Sequence, residues 1–459
     1  MNLDSSHITP QNAVNDNNRR PHWLLAIAML LNVAWPMMHS IAARNALLAL
    51  LLLAGTLLLR RACIQPLLPG VLTQSAKLFL LLSGWLLATV LLADEPLNSL
   101  SQYRGEWLMG SLALTAGLLC AQLARHRTPT GLTPTGLLAA LTLALAVPGA
   151  IAIGHALPVL WHTHTLPAWN TPLYDRTAAS LVTNTLYGLL LADGLGRSGS
   201  KPRLLPLPVW ALATAILLTL AATYMLNTRN GTICLLLLTL FGFGIFVWQR
   251  RQRAGQPALL LAGVALLAAL GWFGSVSYQA DPRWAAFNES VQISLDTEHQ
   301  RAWLDDKLPL PLMHNGQHVD HSAYMRLAWF KEGMLAIRDF PLGVGFGRNA
   351  FGHALQRKYG QGTGHSHSSL IDFTLSGGIP GLLLWLGFSA VLLRFGWRAF
   401  FRAGNPAGLA LALLIVGTLL RMIIDSNLRD HGLEQYLFLL ATLAVLSCPT
   451  SAPQYQGKP

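Results

Sequence analysis

The sequence predicts an all-α polytopic membrane protein with about twelve transmembrane helices, and three observations lead to this fold class. First, 53% of the 459 residues are hydrophobic and only 11% are charged, less than half of the roughly 25% that soluble domains carry. Second, apolar runs of membrane-spanning length recur along the chain. Third, basic and charge-poor loops alternate between those runs. The composition alone excludes an ordinary cytosolic enzyme, a disordered chain and a fibrous protein.

The apolar runs set the number of predicted spans. A hydrocarbon core of about 30 Å requires about 20 apolar residues per helix. The predicted spans are 23–40, 44–59, 72–93, 106–124, 135–157, 178–196, 207–226, 232–248, 257–276, 369–393, 407–424 and 432–448. The first span follows a polar stretch and lacks a small-x-small cleavage site, so it is not expected to be a signal peptide.

Arginine and lysine residues set the predicted orientation. Every second loop is basic, beginning with Arg19 and Arg20 and then Arg60 and Arg61, whereas the short loops between mostly carry one arginine each. The positive-inside rule therefore puts both termini in the cytoplasm. Most of the formal net charge of +12 then reports orientation and requires no anionic ligand. The predicted organisation is a cytoplasmic tail 1–22, spans within 23–276, an outer helical domain 277–368, spans within 369–448 and a cytoplasmic tail 449–459.

The predicted outer domain between spans nine and ten is too long to be a simple connection. Its apolar spacing predicts a helix over Ser322–Arg338, with Ser322 as N-cap and Leu327, Phe330, Met334 and Ile337 on one face. A second, short helix is expected over Asn349–Lys358. Two glycine-rich stretches follow these helices, and the second runs into His365, Ser366, His367 and Ser368 at the start of span ten.

Four arginines on the predicted outer face are candidate ligands for an anion. Arg176 precedes span six, Arg229 lies between spans seven and eight, Arg326 lies on the predicted loop helix and Arg421 lies inside span eleven. An ionisable group at membrane depth is costly and usually functional, and the planar guanidinium suits phosphate oxygens. The alternatives are interfacial snorkelling or a structural ion pair such as Arg421 with Asp425.

Histidines supply the candidates for proton transfer. His365 and His367 lie at the outer face beside a helix N-terminus, which favours a neutral imidazole that can accept a proton. The alternative is a capping or interfacial role. Metal binding is not expected, because Gly316 weakens a helix through His314, His318 and His321 and no carboxylates have ligand-type spacing. No phosphate-binding loop, dinucleotide fingerprint or nucleophile elbow is present, so no cofactor, ATP-driven step or nucleic-acid partner is expected.

Several of these residues resemble a known family. His367-Ser368, followed after nine residues by Gly378-Ile379-Pro380-Gly381, resembles the H-[NSQ]-x9-G-x-x-G signature of bacterial O-antigen ligases. The stretch from Pro341 to Ser368 is similar to the wider O-antigen ligase and polymerase superfamily. Arg326 with Trp329 resembles its Arg-x-x-Trp element, and residues 228–231 resemble its small-Arg-small turn. These elements occur in order and on the same predicted face.

The resemblance implies a GT-C-type membrane glycosyltransferase of the bacterial inner membrane, independent of metal and ATP. Such an enzyme transfers O-antigen from undecaprenyl pyrophosphate to the lipid A–core oligosaccharide on the periplasmic side, by a direct and hence inverting attack. It also implies the roles of individual residues: His367 as general base or orienting group, and Arg229 and Arg326, with Arg176 and Arg421 second, as pyrophosphate ligands. The supporting residues implied are His365, Trp329, Ser368, Gly378 and Gly381.

Three other activities fit parts of the pattern. An O-antigen polymerase uses the same donor with a second lipid-linked glycan as acceptor. A protein O-oligosaccharyltransferase is also similar but tends to carry a longer C-terminal region than the short tail here. A transporter of lipid-linked glycans would need charges near the middle of the membrane, where Arg421 is the main candidate.

Overall fold

A computed structural model shows that the protein is helical. It describes residues 23–61, 70–126, 132–169, 171–251, 256–279, 287–429 and 431–449. Within these ranges the only β-type pairings are two isolated bridges, Met37 with Tyr174 and Leu312 with His318. The predicted tail 1–22 and nearly all of the tail 449–459 lie outside the described residues.

The helices follow one another along the chain with short connections. In order they are α1 (Trp23–Ala34), α2 (Ile41–Arg61), α3 (Gly70–Thr89), α4 (Pro96–Tyr103), α5 (Met109–Arg125), α6 (Pro134–Thr163), α7 (Arg176–Ser198), α8 (Val209–Leu226), α9 (Arg229–Arg250), α10 (Gln256–Gln279), α11 (Phe287–Ser294), α12 (His321–Asp339), α13 (Ala350–Tyr359), α14 (Ser369–Phe401), α15 (Pro406–Ile424) and α16 (Gly432–Leu446). A π-helical turn, Arg104–Leu108, joins α4 to α5.

Each predicted span coincides with a helix of this series. Among the described residues, eight helical stretches are long and apolar enough to cross a membrane, and three shorter apolar helices accompany them. The protein is therefore a multi-pass membrane protein, and the number of twelve spans stays a prediction. Helix α7 is long enough to span, but its buried Asn184 and Asp193 lower its hydropathy.

The bundle packs most closely where small residues let helices approach. Helix α5 lies along α16, and a Cβ placed on Gly117 of α5 would stand 2.3 Å from the carbonyl oxygen of Phe438 on α16. Helix α14 packs between α3 and α15, and α15 packs in turn on α7. These contacts fix α7, α14 and α15, whose ends carry most of the candidate site.

Residues 287–368 pack against one end of the bundle, and we call them the loop segment and that end the loop face. Helices α12 and α13 bury a small apolar core that also includes Ile371 and Leu375 of α14. The sequence predicted the ends of α12 and of α13 within one to two residues. The loop segment thus contains the two predicted helices and shares its core with a membrane helix.

Two predicted details of α12 were wrong. Its N-cap is Asp320, whose carboxylate accepts a hydrogen bond from the Ala323 amide at 2.7 Å, and not Ser322. Its buried face is also different, since Met334 is 48% exposed. The buried residues of α12 are Ala323, Tyr324, Ala328, Glu332, Gly333 and Ala336. Small residues on this face let α12 pack close to α14. This close packing stabilises the contact more than burial of the larger apolar side chains of α12 would.

Helix α14 is kinked at Gly378, which has φ 66° and ψ 177° inside an otherwise helical run. A Cβ on this residue would stand 2.5 Å from the carbonyl carbon of Leu342. The kink lets the Ile379 amide donate to the Pro341 carbonyl at 2.8 Å and the Val344 amide donate to the Leu375 carbonyl at 2.8 Å. Gly378, the first glycine of the sequence signature, therefore docks the first glycine-rich loop on α14.

Candidate active site

Four arginines from four helices line one cavity on the loop face, which we call the arginine cavity. Its volume is about 180 Å³. The lining residues are Arg176, Thr177, Asn227, Thr228, Arg229, Asn230, Ser322, Arg326 and Arg421. All four arginines that the sequence singled out as candidate phosphate ligands thus meet at one place, although they are far apart in the chain.

Arg229 and Arg326 are held from two sides of this cavity. Arg229 is the first residue of α9, and its Nη2 donates to Oδ1 of Asp320 at 3.0 Å. Arg326 on α12 donates from Nη1 to Oδ1 of Asn230 at 3.2 Å. Since Asp320 caps α12 and Asn230 is the second residue of α9, these bonds join the beginnings of the two helices. The guanidinium groups are therefore positioned before any ligand arrives.

Arg176 lines the cavity at the beginning of α7. Its Nε donates to the carbonyl oxygen of Leu226 at 2.5 Å, and its Nη2 donates to the carbonyl oxygen of Asn227. Asn227 ends α8 in a left-handed conformation with φ 47°. Arg176 thus covers the carbonyl groups at the end of α8 and places its positive charge beside the turn that leads to Arg229.

Arg421 is fully buried at the inner wall of the cavity. Its Nε donates to Oδ2 of Asp425 at 2.9 Å, and its Nη1 donates to Oδ1 of Asn184 at 2.6 Å. Its Nη2 lies 2.8 Å from the same Asp425 oxygen. The ion pair that the sequence offered as a structural alternative is therefore present, and each nitrogen of this guanidinium has a protein partner.

The histidines lie beside the arginine cavity in a turn just before α14. The rings of His365 and His367 have centroids 4.2 Å apart. The His367 ring stacks on Trp329, which follows Arg326 by one helical turn on the same face of α12. His367 itself adopts a left-handed backbone with φ 58°, a conformation that costs a residue other than glycine about 1–3 kcal/mol and is most frequent at functional sites.

Serine and aspartate side chains hold this turn in place. Ser366 and Ser368 are buried, and the Ser366 amide donates to Oδ1 of Asp372 at 3.0 Å. The Ser368 hydroxyl donates to the carbonyl oxygen of Met422 at 3.1 Å. The turn is thereby bonded both to the first turn of α14 and to the end of α15, close to the Arg421–Asp425 pair. Ser368 therefore positions His367 through its hydrogen bonds.

Burial and nearby positive charge keep both imidazoles neutral. Burial and then the charge of Arg326 lower the pKa of His367 from 6.5 to about 4, while Asp425 opposes this shift. Burial and then Arg429 lower the pKa of His365 to about 3. An unprotonated imidazole next to a cluster of guanidinium groups can accept a hydrogen bond or a proton from a hydroxyl.

Comparison with known protein families bears on this arrangement directly. Residues 214–386 match the model of the family described as O-antigen ligase. These residues are thus of the O-antigen ligase type. The matched range contains Arg229, Arg326, His365, His367 and Gly378. No curated protein matches the chain.

The match confirms the resemblance inferred from the sequence motifs. It supports a relationship to the O-antigen ligase and polymerase superfamily over residues 214–386. The O-antigen ligase-type chain also carries site residues outside the matched range. Arg176 and Arg421, which line the same cavity as Arg229, are two of them.

Sequence reasoning missed a second polar cavity in this O-antigen ligase-type protein. It holds about 40 Å³ and includes Asp372, which accepts a hydrogen bond from the histidine turn. Its charged residues are Glu106 on the π-helical turn, Arg348 after the glycine-rich loop, Asp372 on α14 and Arg429. Ionisable residues at the ends of membrane helices are the available signal for this cavity.

His314 and His318, which lie outside this region, make ordinary structural contacts. His314 Nδ1 lies 2.6 Å from Oε1 of Glu289, and His318 Nδ1 lies 3.0 Å from the carbonyl oxygen of Leu310. A turn and an isolated bridge precede α12, so His314, His318 and His321 do not share a helix. Over the described ranges, no group of three or more His, Cys, Asp or Glu residues could hold a metal ion.

Proposed function

We propose that this O-antigen ligase-type protein transfers O-antigen from undecaprenyl pyrophosphate to the lipid A–core oligosaccharide. The proposed site is the periplasmic face of the bacterial inner membrane, with no metal and no ATP. The observation that carries the proposal is the convergence of four arginines on one cavity beside the His367 turn. A lipid-linked pyrophosphate is an anion held at the membrane surface, which is the ligand that this cavity fits.

The chemical step creates negative charge where the arginines lie. An acceptor hydroxyl oxygen attacks the anomeric carbon of the donor glycan, and the bond from that carbon to the pyrophosphate oxygen breaks with inversion. Undecaprenyl pyrophosphate leaves with the bonding electron pair and gains negative charge. Arg229 and Arg326 line the cavity and stabilise this charge, as preorganised donors do in other transfer reactions.

His367 handles the proton of the attacking hydroxyl in this proposal. The proton passes from the acceptor oxygen to the neutral imidazole and then to water. A bound pyrophosphate raises the pKa of His367 toward the working pH, because it counters the charge of Arg326 that lowers this pKa in the free enzyme. Donor binding therefore strengthens the base that transfer requires.

Arg176 and Arg421 have supporting roles. The guanidinium of Arg421 already donates hydrogen bonds to Asp425, Asn184 and neighbouring groups. It therefore acts on the ligand through its charge, across the cavity wall. Arg176 closes the end of α8 and keeps the turn before Arg229 in place. The two residues shape the cavity and raise its positive potential, while Arg229 and Arg326 provide direct contacts.

An apolar groove gives the polyprenyl chain of the donor a place to lie. It holds about 330 Å³ between α6, α7 and α8, and almost all of its lining is aliphatic. Thr183 of α7 lies at the end of the groove nearer to Arg176. At 1.5 Å per residue, the two residues are about 10 Å apart along the helix. Part of a lipid tail in this groove would bring its pyrophosphate to the arginine cavity.

A deletion strain tests the proposal. A strain without this gene is expected to accumulate lipid-linked O-antigen while its lipid A–core stays uncapped, and the wild-type gene restores capping. Single units on the core with no polymer on the lipid carrier would show a polymerase instead. Normal capping with an unglycosylated protein acceptor would show a protein O-oligosaccharyltransferase.

A further inference from the structure

The second polar cavity has a different charge pattern from the arginine cavity. Two guanidinium groups, of Arg348 and Arg429, face two carboxylates, of Glu106 and Asp372. Arg348 Nε lies 2.5 Å from Oε1 of Glu106. The four formal charges cancel, and we call this space the charge-balanced cavity.

Arg429 offers unused donors to this cavity. Its Nε and Nη1 atoms are buried, and neither has a hydrogen-bond partner among the residues that the structure describes. A buried guanidinium nitrogen without a partner costs about 1–3 kcal/mol or more, so proteins rarely leave two of them in that state. A ligand that supplies oxygen acceptors to Arg429 would remove this cost.

The charge-balanced cavity is joined to the histidine turn by a direct bond. Oδ1 of Asp372, on the cavity wall, accepts from the amide of Ser366, which lies between His365 and His367. The Ser426 hydroxyl donates to the other Asp372 oxygen at 3.5 Å. A group bound in this cavity is therefore linked through Asp372 to the turn that carries both histidines.

The composition of the cavity fits one class of ligand. A phosphate would be repelled by Glu106 and Asp372, and a cation would be repelled by Arg348 and Arg429. Sugar hydroxyls both donate and accept hydrogen bonds, so they can satisfy carboxylates and guanidinium groups together. Phe346 and Phe373 add apolar surface to the same wall. A space of about 40 Å³ admits the hydroxyl-bearing edge of one sugar ring and no larger group.

We propose that the charge-balanced cavity binds the hydroxyl-bearing edge of the acceptor sugar, with Arg429 and Glu106 as its principal hydrogen-bonding residues. This inference rests on the proposed function, because it assigns the acceptor to a cavity that is linked to the histidine turn and separate from the one for the pyrophosphate. The two cavities then present donor and acceptor to His367 from two directions, which replaces a random encounter by a positioned attack.

Separate binding measurements on the full-length protein in lipid nanodiscs test this assignment. The probes are deacylated lipid A–core oligosaccharide and undecaprenyl pyrophosphate, each titrated alone. The variants are Arg429→Gln, Glu106→Gln and, for the other cavity, Arg229→Gln. Arg338→Gln is the matched control, since Arg338 is a loop-segment arginine whose side chain is 73% exposed. Thermal unfolding of each variant identifies any that fail to fold.

Arg429→Gln and Glu106→Gln are expected to weaken oligosaccharide binding about tenfold or more, because each loses a charge-assisted hydrogen bond. Both should bind undecaprenyl pyrophosphate within about twofold of wild type. Arg229→Gln should show the reverse pattern. Oligosaccharide affinity that is unchanged in folded Arg429→Gln and Glu106→Gln, or absent in the wild type, would overturn the assignment.

The same preparation separates this inference from the proposed function. Wild-type protein that transfers O-antigen to lipid A–core while Arg429→Gln and Glu106→Gln bind the oligosaccharide normally would refute only the acceptor site. Wild-type protein that binds the oligosaccharide through Arg429 but transfers glycan only to a second lipid-linked glycan would refute only the ligase activity.

Discussion

The imidazole of His367 lies against the indole of Trp329, with ring centroids 5.4 Å apart and ring planes 16° from parallel. The indole is fixed in turn, since its Nε1 donates to the carbonyl oxygen of Trp303 at 2.9 Å. The loop segment therefore sets the plane of the His367 ring, while α14 and α15 set the position of its backbone. A residue on α12 thereby orients a group at the start of α14.

Replacement of His367 tests its role as a base. His367→Ala is expected to lower the rate of glycan transfer by about 10²–10⁴-fold, the usual contribution of a positioned proton acceptor. Trp329→Ala should lower kcat less, because the imidazole remains but loses its support. The measurement is the initial rate of transfer by purified protein. His353→Ala, at an exposed position on α13, is the control, and full activity of His367→Ala would remove this residue from the mechanism.

Replacement of Arg229 by lysine tests whether phosphate recognition requires the planar guanidinium group. Arg229→Lys keeps the positive charge but cannot form two parallel bonds to phosphate, so donor turnover should fall about tenfold or more. Donor turnover by Arg229→Ala should fall by about 10²–10³-fold. The readout is the rate of transfer at saturating acceptor. A lysine variant equal to wild type, while Arg229→Ala is inactive, would show that charge alone suffices.

The lowered pKa of His367 predicts a particular pH dependence. In the free enzyme His367 has a pKa of about 4, so kcat/KM for the donor should not lose this base as the pH falls from 7.5 to about 5. The bound pyrophosphate raises this pKa, so the acid limb of kcat should lie at higher pH than that of kcat/KM. Parallel profiles of the two constants check this. An acid limb of kcat/KM near pH 6.5 that disappears in His367→Gln would contradict it.

The kink at Gly378 predicts a structural defect from a small substitution. Gly378→Ala puts a Cβ 2.5 Å from the Leu342 backbone at a φ of 66°, which should destabilise the protein by about 1–3 kcal/mol and displace the glycine-rich loop. Gly387→Ala is the control, because a Cβ there meets nothing within 4 Å in the same helix. Thermal unfolding in detergent is the measurement. Equal unfolding temperatures for the two variants would refute the steric argument.

The Arg421–Asp425 pair predicts non-additive effects on stability. Asp425→Ala leaves a fully buried guanidinium without its counter-charge and should cost about 3–5 kcal/mol. Adding Arg421→Met should recover part of this loss, since the double variant buries no unpaired charge. Thermal unfolding of the two single variants and the double variant measures the coupling. Additive losses would show that the pair contributes no mutual stabilisation.

The sequence predicted the helices and the residues of the arginine cavity for identifiable reasons. Long apolar runs leave the chain few alternatives in a membrane, so α6, α14 and α15 followed from hydropathy. Arg229, Arg326 and His367 lie in local motifs, and their predicted convergence followed from placing each on the same face. Arg229 and Arg326 line one cavity, and the roles of all three residues stay predictions.

The remaining features depend on tertiary packing that no local pattern records. Asp320 caps α12 and pairs with Arg229 from a distant part of the chain, so Ser322 looked equally suitable as N-cap. Small residues are frequent on the buried face of α12, where α14 lies close to it. Of the larger side chains that the apolar spacing favoured, Phe330 and Ile337 are only partly buried against this core and Met334 is exposed. Glu106 and Arg429 become neighbours only because α5 packs along α16.

The shared core of the loop segment and α14 constrains how the protein is made. Ile371 and Leu375 complete the packing around Tyr324 and Phe351, yet the ribosome adds them after the whole loop segment has been synthesised. The core of the loop segment therefore stays incomplete until α14 packs against it. Maturation of the site thus depends on α14, because the turn that carries His367 is bonded to Asp372 in the first turn of that helix.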